Sequence, residues 1–318
     1  MRCVLLSLLA FAAAPAWADT VYISDEQANV LHVIDGATGA AQADIIVGAR
    51  PRGLVISPDG ATVYVAEGDA NRIEAIDLRT RKALPTLNSG SDPERFAVSP
   101  DGKRLYIANE DHSTVSFLDI ATNAPLREVP VGAQPEGIAV SPDGRLVIAT
   151  SETASTAHFI DADTGKLLDS VIVGNRPRGA LFLKSGHELW VSSELRGTIS
   201  VFDPATRKIM ATIDLPKLLP QIDPVQAVEM VVTRGGKRAF VALGRGNHVA
   251  EIDPATRQVV RTFPVGVRNW GIALSPDETR LYAVAGISGD MTVIDLVGNK
   301  VERTVKLGGR PWGAVAVP

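Results

Sequence analysis

The residues able to do chemistry in this 318-residue chain fall into recurring columns. One position after a recurring proline or its equivalent stand Arg52, Glu94, Glu136, Arg178, Val228, Trp270 and Trp312. The next position is glycine at 53, 137, 179, 271 and 313, but Arg95 and Glu229 break that rule with opposite charges. A further column, nine residues before a recurring aspartate, reads Glu26, Gly68, Glu110, Glu152, Glu194, Gly244 and Gly286. Carboxylates and guanidinium groups gathered at one mouth can orient a polar ligand, hold a cation, or move a proton where burial brings a carboxyl toward neutrality. Glu94, Glu110, Glu136, Glu152 and Glu194 point to an acidic sector, with Trp270 and Trp312 on the remaining arc. Exposed tryptophan there would favour partner docking, because tryptophan is enriched at interface hot spots. Arg95 and Glu229 are expected to face one another across a channel, as water-bathed charges or as an anchor for an entering ligand.

Other chemistries find less support. Glu110, Glu152 and Glu194 with His112 could bind a cation only if their loops converge. His32 and His158 each stand three residues before a recurring aspartate, in units that are not adjacent. There is no H-E-x-x-H, no Walker phosphate loop and no G-x-S-x-G elbow, and no spacing singles out a triad, so no catalytic residue or resident metal is assigned. The one cysteine, Cys3, excludes a disulfide framework, a thiolate zinc site and a c-type haem. A net charge of −4 with 21% charged residues excludes a basic nucleic-acid sleeve, and no nucleic-acid partner is expected.

The elements that must position these columns follow from a repeat. A hydrophobic-Asp step recurs at Asp35, Asp77, Asp119, Asp161, Asp203, Asp253 and Asp295, with spacings of 42, 42, 42, 42, 50 and 42. The long interval carries eight extra residues around Leu215 to Ile222. Each period holds four short β-type runs, such as 53–56, 62–66, 72–76 and 83–87, with a Ser57-Pro58-Asp59-Gly60 turn after the first. Four strands per period of about 42 residues is the blade of a β-propeller. The spacing therefore predicts an all-β, seven-bladed β-propeller of four-stranded antiparallel blades. Each fourth strand would be an outer edge, and Pro85, Pro130, Pro264, Lys82, Arg127, Arg261, Arg303 and Lys306 suit one. The recurring aspartate suits the turn between third and fourth strands. Pro311–Val317 reads as a first strand and Thr20–Ile23 as a second, so the two ends should complete one blade. Arg2, the apolar run 4–14 and Ala16-Trp17-Ala18 read as a secretory signal cleaved after Ala18. That leaves residues 19–318 as one domain with no membrane span, exported and expected in a bacterial periplasm.

Val63-Tyr64-Val65-Ala66-Glu67 and Leu105-Tyr106-Ile107-Ala108-Asn109 resemble the YVTN-type β-propeller repeat. More narrowly, Ser91-Asp92-Pro93-Glu94-Arg95-Phe96, Ile107-Ala108-Asn109-Glu110-Asp111, Ser151-Glu152-Thr153, Glu188-Leu189-Trp190-Val191-Ser192-Ser193-Glu194 and Pro311-Trp312-Gly313 are similar to the PQQ-dependent catabolism-associated β-propeller proteins. That resemblance implies an exported, non-catalytic binding or scaffold protein working beside quinoprotein alcohol oxidation. Its partner would be a quinoprotein dehydrogenase or an associated electron-transfer or transport protein. Propellers of related repeat type include lactone hydrolases, which makes a lactonase-like or metal-dependent hydrolase the alternative. PQQ itself is not expected on this chain. Asp161-Ala162-Asp163-Thr164-Gly165-Lys166 echoes the quinoprotein docking motif in one blade, but Asp169 stands where that motif ends in tryptophan.

Overall fold

The computed structural model describes residues 19–318, and the leader expected over 1–18 lies outside the described residues. Seven antiparallel sheets form the ring. From the channel outward, blade two runs Pro51–Ile56, Thr62–Glu67 and Arg72–Asp77 to an outer strand that breaks into Lys82–Ala83 and Leu87–Asn88, both paired to Arg72–Asp77. Pro85 lies between those halves, where a residue without an N–H is tolerated only at an edge. Ala124–Pro130 and Gln258–Pro264 likewise end their blades on a proline.

Closure comes from the two ends. Pro311–Val317 pairs with Thr20–Asp25, aligning Thr20 with Val317, Tyr22 with Val315 and Ile23 with Ala314. It thereby supplies the innermost strand of blade one.

The core is divided among the interfaces between blades. Seven apolar clusters are present, each drawing on two adjacent blades. Val21, Ile23 and Ile34 of blade one, for example, meet Tyr282, Val284, Met291 and Val293 of blade seven. Phe159 and Phe202 meet edge-on across the interface of blades four and five, with centroids 5.4 Å apart. The insertion after blade five is part of this core. It forms a short helix, Leu215–Leu218, capped by Asp214, and buries Leu215, Leu219 and Ile222 against Trp190 and Ile199.

The recurring aspartate is a turn-former, as its position predicts. Asp77 accepts bonds from the Thr80 amide at 2.6 Å and from its hydroxyl at 2.7 Å. Asp161 does the same with Thr164, both at 2.7 Å, so the docking-motif echo is the same outer turn found in other blades.

Removing residues 311–318 should strip blade one of its inner strand and expose both flanking clusters. We expect a loss of more than about 5 kcal/mol, most of a domain's net stability, seen as a broad, non-cooperative urea transition. A sharp transition at the wild-type midpoint would contradict the closure argument.

Candidate functional site at the channel mouth

A repeated irregularity aims the first column at the mouth. In blade four Pro135 pairs with Ser151 but Ile138 pairs with Ala149, so one extra residue sits on the inner strand. The same kind of register shift occurs in blades one, two, three, five and seven. A β-bulge of this kind bends the strand and redirects the extra side chain. Glycine follows because neighbouring blades crowd together there: a Cβ on Gly137 would lie 2.6 Å from the Arg178 carbonyl oxygen.

The redirected side chains gather around a cavity of about 410 Å³. At its centre is Arg178, 6% exposed. Its Nη1 pairs with Glu136 at 2.6 Å and with Glu152 at 2.7 Å, while Nε donates to Glu194 at 2.8 Å. Arg176 joins Glu152 at 2.8 Å. On the other side Arg52 binds Glu94 at 2.6 Å and Glu26 at 2.9 Å, and Arg50 binds Glu94 at 2.9 Å as well as Asp92. Both tryptophans lie beneath guanidinium groups. Arg95 and Arg52 stand 4.6 and 5.9 Å from the Trp312 ring centroid, and Arg268 and Arg178 stand 4.3 and 5.0 Å from that of Trp270.

Arg95 and Glu229 meet as an ion pair across the channel. They also line the next cavity inward, with Leu54, Phe96, Ile138, Val231 and Ile272. This cavity sets the charge pair among apolar side chains and shares Trp312 with the mouth.

The acidic sector expected from the glutamates is corrected by this arrangement. Arginines thread between the acids, because burying several carboxylates together without counter-charge would be far more costly. Nor is Trp312 an open docking residue: it is 4% exposed. The column just before the recurring proline supplies Arg50, Asp92, Gln134 and Arg176, with Arg268 at the equivalent point of blade seven. Sequence reasoning passed over it. Its signal was the same period read two residues before the first column, and all five hold a left-handed backbone, with φ between 54° and 63°.

His112 does not join the glutamates, since its nearest carboxylate is Glu128 at 4.0 Å. The carboxylates that do converge are Asp92, Glu94 and Glu110. Arg50 and Arg52 already engage two of these three, so a divalent cation would have to displace guanidinium groups. His32 and His158 share a repeat position and differ in chemistry. Burial opposes charge on His32, but Asp25 and Asp44, each 3.2 Å away, outweigh it and raise its pKa. His158 lies among Ser151, Ser170 and the Gly132 amide, and burial pushes it down to about 4.

Burial alone would raise Glu136, but Arg178, Arg95 and Arg52 outweigh it and hold it below the usual carboxylate range. Glu110 goes the other way. Burial, then the nearby Glu94 and Glu136 charges, push it up to about 7. Its neutral partner is Gln134, whose amide donates at 3.1 Å.

The chain resembles known propellers. A family model described as "Lactonase, 7-bladed beta-propeller" matches residues 77–173, less than half of the chain. The hydrazine synthase structure from Kuenenia stuttgartiensis superposes with a TM-score of 0.77 at 19% identity, covering 87% of this chain and 92% of that one. A protein of unknown function from Desulfotomaculum acetoxidans gives 0.75 at 19% identity, over 92% of this chain and 99% of that one. At that identity the likeness shows the fold alone. No curated protein matches the sequence. Among the described residues no helix is long and apolar enough to cross a membrane.

Two outcomes follow from the charge geometry. Arg178→Met leaves Glu136, Glu152 and Glu194 without their shared cation, and should cost about 3–5 kcal/mol in chemical denaturation at pH 8. A change below 1 kcal/mol, roughly the scale of a surface pair, would contradict that role. Glu110 takes its proton more readily folded than unfolded, so its stabilising contribution is complete below about pH 4.5 and is lost as pH rises through about 7. Glu110→Gln should therefore raise the Tm at pH 8 by about 2 °C, on the order of 1 kcal/mol after allowing for solvent screening, and leave it unchanged at pH 5. A uniform shift at both pH values would contradict the assignment.

Proposed function

We infer that this is a non-catalytic binding propeller whose channel mouth takes a polar ligand or partner group in quinoprotein-linked alcohol oxidation. The observation that carries this is the mouth cavity, where fixed ion pairs and two arginine-stacked tryptophans present an immobile array of donors and acceptors. Such preorganisation lowers the ordering cost of binding. The quinoprotein setting rests on the motif resemblances given above. In this reading the chain is exported to the periplasm after cleavage at Ala18. Its partner there is a quinoprotein dehydrogenase or an associated electron-transfer or transport protein.

A capture experiment from periplasm of alcohol-grown cells tests this. Wild-type protein should retain a quinoprotein-system component, and Trp270→Ala should retain at least tenfold less. Capture of no such component, or equal capture by both proteins, would count against the reading.

A second reading, lactone hydrolysis at the same mouth, is favoured by the lactonase match over residues 77–173 and by Glu110. In its ionised form Glu110 would take a proton from water as the water oxygen bonds to the lactone carbonyl carbon; the acyl–oxygen bond of the ring then breaks and the carboxyl returns that proton to the ring oxygen, which leaves as the alcohol. This version predicts turnover on a lactone panel that Glu110→Gln lowers at least 100-fold. No turnover, with or without added divalent cation, would leave the binding role alone.

A further inference from the structure

We propose that the mouth carries an anion subsite in blades six, seven and one, formed by Arg245, Arg268 and Arg310 over Trp270, and that it takes a small carboxylate with an apolar body. This deepens the binding role and rests on the mouth being a ligand site.

The lobe adjoins the central cavity, sharing Glu26, Arg268 and Trp270 with it, and measures about 260 Å³. That is below the ~300–1,000 Å³ of sites for drug-sized molecules. Its charge is unbalanced, unlike the rest of the mouth. Glu26 is its one acidic lining residue, and Glu26 is already bound to Arg52 at 2.9 Å. Arg268 has a single distant partner, Glu194 at 3.5 Å. Arg245 and Arg310 are exposed, and neither guanidinium has a carboxylate partner among the described residues.

The repeat explains the imbalance. Blades three, four and five place Glu110, Glu152 and Glu194 nine residues before the recurring aspartate; blades six and seven place Gly244 and Gly286 there. The acids that would have neutralised these arginines are missing, and Gly286 lets the Trp270 ring and the Pro311 carbonyl pack directly against the backbone. A Cβ on Gly286 would stand 3.2 Å from Trp270 Cδ1. Burial and the charges of Arg245, Arg178 and Arg176 together outweigh Glu194 and depress the pKa of Arg268, consistent with local positive excess.

The lining also states what kind of anion fits. Guanidinium forks match a planar carboxylate by paired N–H bonds. The Trp270 ring and Ile287, 65% exposed, offer apolar contact to the rest of the molecule. A fully hydrated ion would leave that contact unused.

Isothermal titration of the intact chain at pH 7.5 with benzoate, benzyl alcohol and inorganic phosphate tests the proposal. Benzoate should bind one to one, and benzyl alcohol and phosphate should each bind at least tenfold more weakly. Arg245→Gln with Arg310→Gln, at exposed positions, should weaken benzoate at least tenfold while circular dichroism stays unchanged. Equal affinity for benzyl alcohol, tighter binding of phosphate, or benzoate affinity kept within twofold in the double variant would each overturn the assignment. Partner capture and benzoate binding are read separately. Capture with no benzoate binding removes this inference alone, and benzoate binding with no capture removes the quinoprotein role alone.

Discussion

No blade of this protein can cover both of its faces by itself, so the seven apolar interfaces must all form, and the ring has to close. The pairing of Pro311–Val317 with Thr20–Asp25 is where that requirement is met. Closure brings seven inner strands toward one axis, and the site inherits its character from that crowding. Glycine stands where neighbouring blades nearly touch, as at Gly137 against the Arg178 carbonyl. One-residue bulges turn the preceding side chains out of the sheet and into the mouth.

Crowding also dictates the charge pattern. Glu94, Glu136 and Glu194 are almost fully buried, and carboxylates in that setting persist as charges only with counter-charges in contact. Arg178, Arg176, Arg52 and Arg50 supply them, and the tryptophans fill the space over the guanidinium planes. Where pairing is incomplete, chemistry is left over. Glu110 lacks an ion-pair partner among the described residues and holds a proton near neutrality, Arg245 and Arg310 lack acids among the described residues, and Arg268 has only Glu194 at 3.5 Å. The two leftovers, a protonated carboxyl and unbalanced guanidinium groups, belong to different sectors of one mouth.

The architecture was legible because a repeat writes each interface several times. The 42-residue period located the blades, the aspartate turn and the complementary end strands, and the longer interval marked the packed insertion. The site was legible only as columns. Arg95 and Glu229 are 134 residues apart, and their opposition could be read from blade position. The partners of Arg178 could not, since Glu136 reaches it from an inner strand and Glu152 and Glu194 from turns, in two adjacent blades. The glutamates suggested an acidic sector because the sequence does not show that Arg52 and Arg178, from the same column, reach across to them, or that Arg50 and Arg176 join from two residues earlier. His32 and His158 show the same limit: one repeat position yields a raised and a lowered pKa, according to whether aspartates or serines surround the ring.

The central claim is that incomplete charge pairing in the closed mouth creates a binding site. A crystal structure determined with benzoate tests it most directly. The account predicts the carboxylate seated between the guanidinium groups of Arg245, Arg268 and Arg310, with its ring against Trp270 and the Arg178 cluster unmoved. Benzoate seated elsewhere, or an Arg245–Arg310 lobe filled by the protein's own carboxylates, would contradict it.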